Sequence, residues 1–446
     1  MAVDVVVAGG GPAGATLAIL LGRAGLRVDV FDARRFPREK PCGEGIMPGG
    51  VAVLGRLGLR DAVGGRALSA VRYHGFGLTA AAPFATPRHP ERSALAQRRL
   101  RLDDALIGAA RATPGVRLYE DAAVEGAEIE GGRAVGLRVG GEIRRAALVV
   151  GADGLESPVR RSLGLDVAGR APARSGVRMH FRLAPGRTLS DNLEIFVGRG
   201  YEVYAAPLPD GELLVAGLAD EGALGGSARG ALERWIAAEP FLRDALEGAT
   251  PLTAPAGRAR VARRARAGFA PGAVLLGDAA RASDPLTAGG ISHALATAER
   301  LAAAVPRYLA EGDRALARFD RERNRLLRPH DWLTRSLVQI VRRPALAHAT
   351  LLLMRALPPF MRRLVAVAGA AGVQPPSALT INRSVATAAS TALAGSANGM
   401  ILTVATIRPA SAAAKAGSVA TVMPGSMAFS ASMPARSTTS RPPVSA

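Results

Sequence analysis

Val5-Val6-Val7-Ala8-Gly9-Gly10-Gly11-Pro12-Ala13-Gly14 is the stretch that decides the fold. Its apolar start reads as a buried strand, and Ala15-Thr16-Leu17-Ala18-Ile19-Leu20-Leu21 reads as a helix that ends at Gly25. Val28-Asp29-Val30-Phe31 then closes a strand-helix-strand unit with Asp32 at its end. Gly9 suits a tight turn, Gly11 lets the backbone approach a pyrophosphate, and Gly14 lets helix and strand pack closely. The phosphates would rest on the unpaired N–H groups at the positive end of the helix. Asp32, eighteen residues after Gly14, is placed to accept hydrogen bonds from a ribose. The pattern implies a dinucleotide, flavin or nicotinamide.

Two later segments narrow the choice. Ala147-Leu148-Val149-Val150 runs into Gly151-Ala152-Asp153-Gly154, and Ala273-Val274-Leu275-Leu276 delivers Gly277-Asp278 at the head of a stretch that reaches Pro285. In this order and spacing, residues 3–333 resemble the FAD-dependent oxidoreductase superfamily of group A flavoprotein monooxygenases (aromatic hydroxylase type), geranylgeranyl reductase-like proteins and flavin halogenases. The resemblance implies an α/β fold: a Rossmann-like FAD-binding domain with an inserted antiparallel β-sheet substrate domain and C-terminal helices. It also implies FAD as cofactor, with NAD(P)H as a transient electron donor.

Carried over residue by residue, the resemblance gives each segment a role. Asp153, Gly154, Ser157 and Arg160 match D-G-x-x-S-x-x-R, which bridges FAD and the nicotinamide donor in the family. Gly277 and Asp278 match a Gly-Asp pair whose carboxylate binds the ribityl hydroxyls, and Pro285 matches a proline against the flavin ring. Arg99, in Arg-x-x-Leu-Asp with Leu102 and Asp103, matches an arginine near the phosphates. Pro12, Ala13, Ala33, Arg34, Cys42 and Gly43 complete the expected cofactor-binding set. Gly289, Gly290 and Ile291 open a helix beside Pro285, so their N–H groups could face flavin N1 and O2, where negative charge develops on reduction. Asp278 also reads as a helix N-cap and Asp153 as a plain turn. Among the histidines, His293 lies nearest in sequence to this loop.

Phe36-Pro37-Arg38-Glu39-Lys40-Pro41-Cys42-Gly43-Glu44 resembles the F-P-R-x-K-x-C-G stretch of reductase-like and some monooxygenase-like members. In the reductases that cysteine lies near the flavin, so Cys42 is a catalytic candidate beside Pro285 and Tyr204. A thiol next to Arg38 and Lys40 would be acidified, and it reads equally as a small residue packing a loop. The chain departs from the reductases where they carry Trp three residues before Pro, having Tyr204 before Pro207, and where Gly-Glu-Gly becomes Ala288-Gly289-Gly290. The halogenase Trp-x-Trp-x-Ile-Pro motif is absent.

Composition excludes other classes. The 446 residues allow two or three domains, and the single cysteine, Cys42, excludes disulfides within the chain. No metal site is expected. The formal charge of +20 is lopsided: no acid follows Asp331, whereas Arg335, Arg342, Arg343, Arg355, Arg362, Arg363, Arg383, Arg408, Lys415, Arg436 and Arg441 do. Without an aromatic-interleaved basic stripe, no nucleic-acid partner is expected, and a basic face toward anionic lipid fits better. The start carries no signal-peptide pattern and no apolar run is long enough to span a bilayer, so the expectation is a cytoplasmic protein with peripheral membrane contact. The oligomeric state is not legible.

The elements divide the chain as follows. Residues 1–70, 95–175 and 255–330 are expected to form the FAD-binding domain, and 71–94 and 176–254 the β-sheet substrate domain. Residues 331–374 read as a helical cap, being apolar runs with paired arginines broken by Pro344, Pro358 and Pro359. Residues 375–446, rich in Ser, Ala, Thr, Gly and Pro, read as a disordered tail. A helix is expected around 51–57 and another over 98–112, with a pair of strands over 116–139 and period-two segments between 177 and 218.

The expected activity is NAD(P)H-dependent monooxygenation of a lipophilic aromatic, polyketide or quinone-like small molecule, with molecular oxygen adding at flavin C4a. The alternatives are geranylgeranyl reductase-like reduction of isoprenoid double bonds and a non-catalytic flavin-binding protein. A chain with no evident general base suits chemistry carried by the cofactor.

Overall fold

The computed structural model describes residues 3–86, 89, 92–167 and 174–370, all within one compact unit. The last residues of the expected cap, 371–374, and the whole of the expected tail, 375–446, lie outside the described residues.

Five parallel strands form the first layer. Their order is Ala273–Leu275, Glu142–Gly151, Val3–Ala8, Val28–Phe31 and Val116–Tyr119, with Phe269–Ala270 antiparallel on one edge. Val5, Val7, Val28, Val30, Leu148 and Val150 are fully buried, as strands covered on both faces must be. Helix Pro12–Arg23 packs on this sheet beside the long helix Gly290–Glu311, with Leu17 and Leu21 meeting Leu295 and Leu301 in one core. Pro12 at the start of its helix has no N–H to lose, and its fixed φ suits a first turn.

The sequence-based elements hold with four differences. The stretch 116–139 is three strands, Val116–Tyr119, Val124–Glu130 and Arg133–Val139, because the last two pair as a hairpin beside Glu142–Gly151 and the first joins the parallel sheet. The helix expected around 51–57 begins at Pro48, and Arg99 is the first residue of helix Arg99–Arg111. Asp278 is no helix N-cap: it lies inside the short 3-10 turn Gly277–Ala279, and Asp284 caps the following turn through Leu286 N at 3.2 Å.

The second sheet is mainly antiparallel, in the order Thr250–Pro251, Arg174–Arg182, Glu212–Asp220, Tyr201–Pro207, Asn192–Val197, Ala70–Gly75 and Leu78–Pro83. Asn192–Val197 and Ala70–Gly75 are its one parallel pair. Period-two spacing is present but does not separate core from solvent, because both faces are covered. Helices Ala228–Ala238 and Pro240–Ala245 cover Val203 and Val215 on one side, with Trp235 of the first helix in the same core. The end of helix Asp313–Val341, with Pro344–Ala356 and Pro358–Gly369, buries Leu193, Ile195 and Tyr204 on the other. Glu194 is buried in consequence, held by His74 Nε2 at 2.6 Å and by Arg72.

Candidate functional site

The three glycine-rich segments leave the parallel sheet side by side. Ala8 is in register with both Phe31 and Gly151, and Gly151 with Leu275, so Gly9, Asp32, Ala152 and Gly277 follow adjacent strand ends. This carboxyl edge is where open α/β sheets bind ligands. Gly9 has φ +98°, and a Cβ there would stand 2.4 Å from Ala152 O. At Gly14 a Cβ would stand 1.9 Å from Gly9 O, which forces glycine at that first-turn position. Ala13 and Gly277 are also neighbours, for a Cβ on Gly277 would meet Ala13 Cβ at 3.1 Å.

Asp32 is buried and braces the first turn. Its Oδ2 accepts Gly10 N at 2.8 Å and its Oδ1 accepts Arg34 N at 3.0 Å, while Ala33 and Arg34 are exposed at the rim. Arg38 Nη2 lies 3.4 Å from Asp32 Oδ2 and Nη1 3.1 Å from Asp103 Oδ2. Arg99 is paired with Asp103, through Nε to Oδ1 at 2.7 Å and Nη2 to Oδ2 at 2.6 Å. Lys40 makes no ion pair among the described residues, and a Cβ on Gly154 would lie 3.5 Å from its Nζ. Burial and then Arg99 hold the Lys40 ammonium below its usual pKa, against the pull of Asp278. The thiol of Cys42 is half-buried, accepts Glu44 N at 3.3 Å and lies beside Arg99. The cation against it is therefore Arg99, not the sequence neighbours Arg38 and Lys40.

The second segment turns on the buried Asp153. Asp153 Oδ2 accepts Val159 N at 3.1 Å, but its buried Oδ1 has no partner, and burial raises its pKa. Ser157 and Arg160 are structural ties. Ser157 Oγ caps helix Pro158–Ser162, and Arg160 reaches Ala279 O at 3.0 Å, binding the second segment to the third. Asp278 carries no side-chain hydrogen bond, and Pro285 is exposed at the head of its turn.

Gly289 and Ile291 are buried and Gly290 is exposed at the start of helix Gly290–Glu311, whose first N–H groups have no intrahelical acceptors. Two buried histidines lie behind this turn. A Cβ on Gly289 would meet His330 Nε2 at 2.4 Å, and His293 meets His330 edge to face at 4.1 Å. Burial lowers both pKa values, that of His330 to about 4, so both are neutral at pH 7. His330 Nε2 is 2.7 Å from Thr287 Oγ1.

From Leu286, Thr287 and Ala288 an apolar chamber extends between the second sheet and the C-terminal helices. Leu193, Ile195 and Tyr204 form its sheet wall, and Leu337, Met354 and Met361 its helical roof. A further lobe shares Tyr73, Ile195, Tyr204 and Leu286 with it and continues to Glu202 and Leu351. Tyr204 Oη donates to Leu286 O at 2.9 Å and so ties the sheet to the turn after Pro285. Cys42 does not line the chamber, although Gly45 in its loop lies against Ala288.

Sequence reasoning thus found the glycines and acids of the sheet edge but missed Lys40, Glu202, Arg174 and Asp284. Lys40 stood in a quoted motif and its charge was the available signal; Glu202 and Arg174 had none.

Residues 2–194 match the family described as FAD binding domain. The mixed α/β fold they open is completed by the second sheet and the C-terminal helices. A menaquinone reductase of Mycolicibacterium smegmatis is 38% identical over 168 residues, which are 36% of this chain and 40% of that relative. The chain thus spans less than half the length of that relative. Digeranylgeranylglycerophospholipid reductase 2 of Methanopyrus kandleri is 27% identical over 329 residues, covering 72% of this chain and 80% of the relative. A solved flavoprotein/dehydrogenase from Cytophaga hutchinsonii shares the fold with TM-score 0.72 over 89% of this chain and 100% of its own, at 20% identity. Among the described residues, no helix is long and apolar enough to cross a membrane and no group of His, Cys, Asp and Glu could hold a metal.

The carboxyl edge fits FAD. The orphaned Asp153 Oδ1, the unpaired Lys40 ammonium and the uncapped first turn after Gly11 are donors and acceptors waiting for an anionic, hydroxyl-rich partner.

Proposed function

We propose that this chain is an FAD-dependent oxidoreductase whose substrate is an elongated lipophilic small molecule, and that it reduces a carbon–carbon double bond in the isoprenoid part of such a lipid. The observation that carries this reading is the chamber: an aliphatic, methionine-containing space that starts on the Leu286–Ala288 turn and runs away from it under the C-terminal helices. Similarity to two reductases, one of them along 80% of its length, supports the reaction type.

When bound, FAD supplies the redox chemistry, taking electrons from NAD(P)H and passing them on. The chain supplies position and exclusion of water. Gly9, Gly11, Pro12, Ala13 and Gly14 would hold the pyrophosphate on the first helix turn, with Lys40 and Arg38 offsetting its charge and Asp32, Ala33 and Arg34 serving the adenosine end. Asp153 and Gly154 would serve the junction, Asp278 and Gly277 the ribityl chain, and Gly289, Gly290 and Ile291 the ring edge. Arg99 would act through Asp103 and Cys42. Pro285, Cys42 and Gly43 would serve the ring, and Tyr204 fixes the turn after Pro285 through Leu286 O. The helical cap expected from residue 331 onward goes with this reading as the roof of the substrate site, formed by the described residues up to 370.

A second reading, NAD(P)H-dependent hydroxylation with molecular oxygen, is favoured by one observation. The chamber wall near Leu286 is apolar, and the Tyr204 hydroxyl there is already committed, so few groups could protonate a carbon. One assay separates the two. Purified yellow enzyme, NADPH and a prenylated quinone or phenol are incubated with and without oxygen, and products are weighed by mass spectrometry. A gain of two hydrogens without oxygen is expected; a gain of one oxygen atom, seen only aerobically, would replace reduction by hydroxylation. Absence of either with retained flavin would leave a binding protein.

The same reading places the enzyme at a lipid surface. Leu346, Leu352, Leu353 and Leu357 are exposed on or beside the roof helix Pro344–Ala356, with Arg343, Arg355, Arg362 and Arg363 near them in sequence. Replacing Leu352, Leu353 and Leu357 by Ser should lower co-sedimentation with anionic vesicles by more than tenfold; unchanged sedimentation would reject the contact.

A further inference from the structure

Glu202 is the one carboxylate among the described residues that line the chamber. It projects from the same face of strand Tyr201–Pro207 as Tyr204, two residues on, and is 1% exposed. Its Oε2 accepts Arg174 Nη2 at 3.1 Å and lies 3.3 Å from Tyr204 Oη. Its Oε1 is buried and has no partner.

The surroundings decide what that oxygen carries. Arg174 also reaches Asp284 Oδ1 at 2.9 Å, so a single buried guanidinium stands between two carboxyl groups. Asp220, 3.8 Å from Arg174 Nε, is half exposed and bound to Arg342 at 2.7 Å, and Tyr73 and Tyr204 are the remaining titratable neighbours. One positive charge does not offset two desolvated carboxylates. Burial accordingly pushes Glu202 up to about 7 and raises Asp284, against Arg174 in both cases. An un-ionised Glu202 keeps Oε2 as the acceptor for Arg174 and carries its proton on Oε1. That O–H donor would have no protein acceptor, on a residue that lines the apolar lobe.

We infer that Glu202 is the polar anchor of the chamber, and that the ligand is an apolar molecule bearing a carbonyl oxygen, as in a quinone or ketone, which accepts a hydrogen bond from Glu202 Oε1. The inference rests on the lipophilic-substrate reading above and adds the group that orients the molecule. A carbonyl satisfies the orphaned donor, whereas a plain hydrocarbon leaves it buried and unmet, a difference of roughly 10–100-fold in affinity. Arg174 and Asp284 hold the anchor in place, and Asp284 in turn accepts Leu286 N. The carbonyl end of the ligand is thereby fixed relative to the turn that follows Pro285. Glu202 is a specificity-determining residue and takes no proton from the reaction.

The test is binding, measured on the flavin-loaded enzyme by quenching of flavin fluorescence. The probes are a prenylated naphthoquinone and an isoprenoid hydrocarbon of similar length, each at pH 6 and pH 8.5. Wild type should prefer the quinone at least tenfold at pH 6 and lose most of that preference at pH 8.5, where the ionised acid no longer donates. Glu202→Gln, which keeps an N–H donor, should retain the preference and lose its pH dependence. Glu202→Leu should bind both probes alike with hydrocarbon affinity and flavin content unchanged. A quinone preference that survives Glu202→Leu, or that ignores pH in wild type, would overturn the anchor while leaving the apolar chamber intact. Failure of wild type to bind either probe would instead remove the lipophilic-substrate reading, and the anchor with it.

Discussion

The carboxyl edge of the parallel sheet and the chamber under the C-terminal helices are built on opposite plans. The edge is made of short contiguous segments, each following directly from a strand, with glycines where a Cβ would collide and acids at fixed offsets. The chamber is assembled from single residues on seven or more separate elements, nearly all of them ordinary hydrophobes. A cofactor shared by many proteins needs the same backbone geometry in each, and a substrate needs only a shape. The first plan leaves a local signature; the second leaves none.

The sharpest way to break this comparison is at Gly14. A side chain there meets Gly9 O at 1.9 Å, backbone against backbone, with no flexible atom to yield. Gly14→Val should therefore abolish bound flavin, read as absorbance near 450 nm per mole of protein, and lower the thermal midpoint sharply. Gly55→Ala, in helix Pro48–Leu57 with nothing within 4 Å of the added Cβ, is the matched control and should keep flavin and gain about 0.5–1 kcal/mol of stability. If Gly14→Val retained flavin, the edge would not be the cofactor site.

The same contrast explains what could be read without coordinates. The strand-helix-strand unit, the later Gly-Asp segments and Asp32 were legible because each is a few consecutive residues whose local conformation carries the function. Asp278 was misread as an N-cap because a Gly-Asp after a strand opens a helix and a 3-10 turn alike. Glu194 and Glu202 alternate with apolar neighbours, a pattern that by itself does not tell a buried face from an exposed one. They are buried because helices cover both faces of the sheet, and those helices come from residues more than twenty positions away and from the far end of the described chain. Nor does any spacing announce that Arg174 meets Glu202, which only the pairing of Arg174–Arg182 with Glu212–Asp220, itself paired to Tyr201–Pro207, brings about.

A moderate effect separates the regions from the other side. Ile195 is 4% exposed on the chamber wall and shared by both lobes. Ile195→Trp should fill the space between them, leaving flavin content as in wild type while lowering kcat/KM for a long-chain substrate at least tenfold, about 1.4 kcal/mol or more. A short substrate analogue should be affected less. Equal loss with both, or loss of flavin, would mean that the chamber and the sheet edge are not separable.

The last effect concerns Glu202 and is a matter of stability. Unfolded, this carboxyl has the ordinary value of 4.5; folded, burial raises it to about 7. Between those values the folded chain keeps a proton that the unfolded chain releases, so this group's contribution favours folding at pH 5 and is progressively lost as pH rises to about 7. A difference of that size corresponds to on the order of 3 kcal/mol as an upper limit. Glu202→Gln mimics the protonated acid and cannot ionise. Its thermal midpoint should match wild type near pH 5 and exceed it by a few degrees at pH 8. Other groups titrate in the same range, but those remote from this site are common to both proteins, so the difference between the two curves reports Glu202 together with Asp284, to which it is coupled. Parallel curves would show that the Arg174 guanidinium already holds Glu202 ionised, and the chamber would then present a carboxylate in place of an acid.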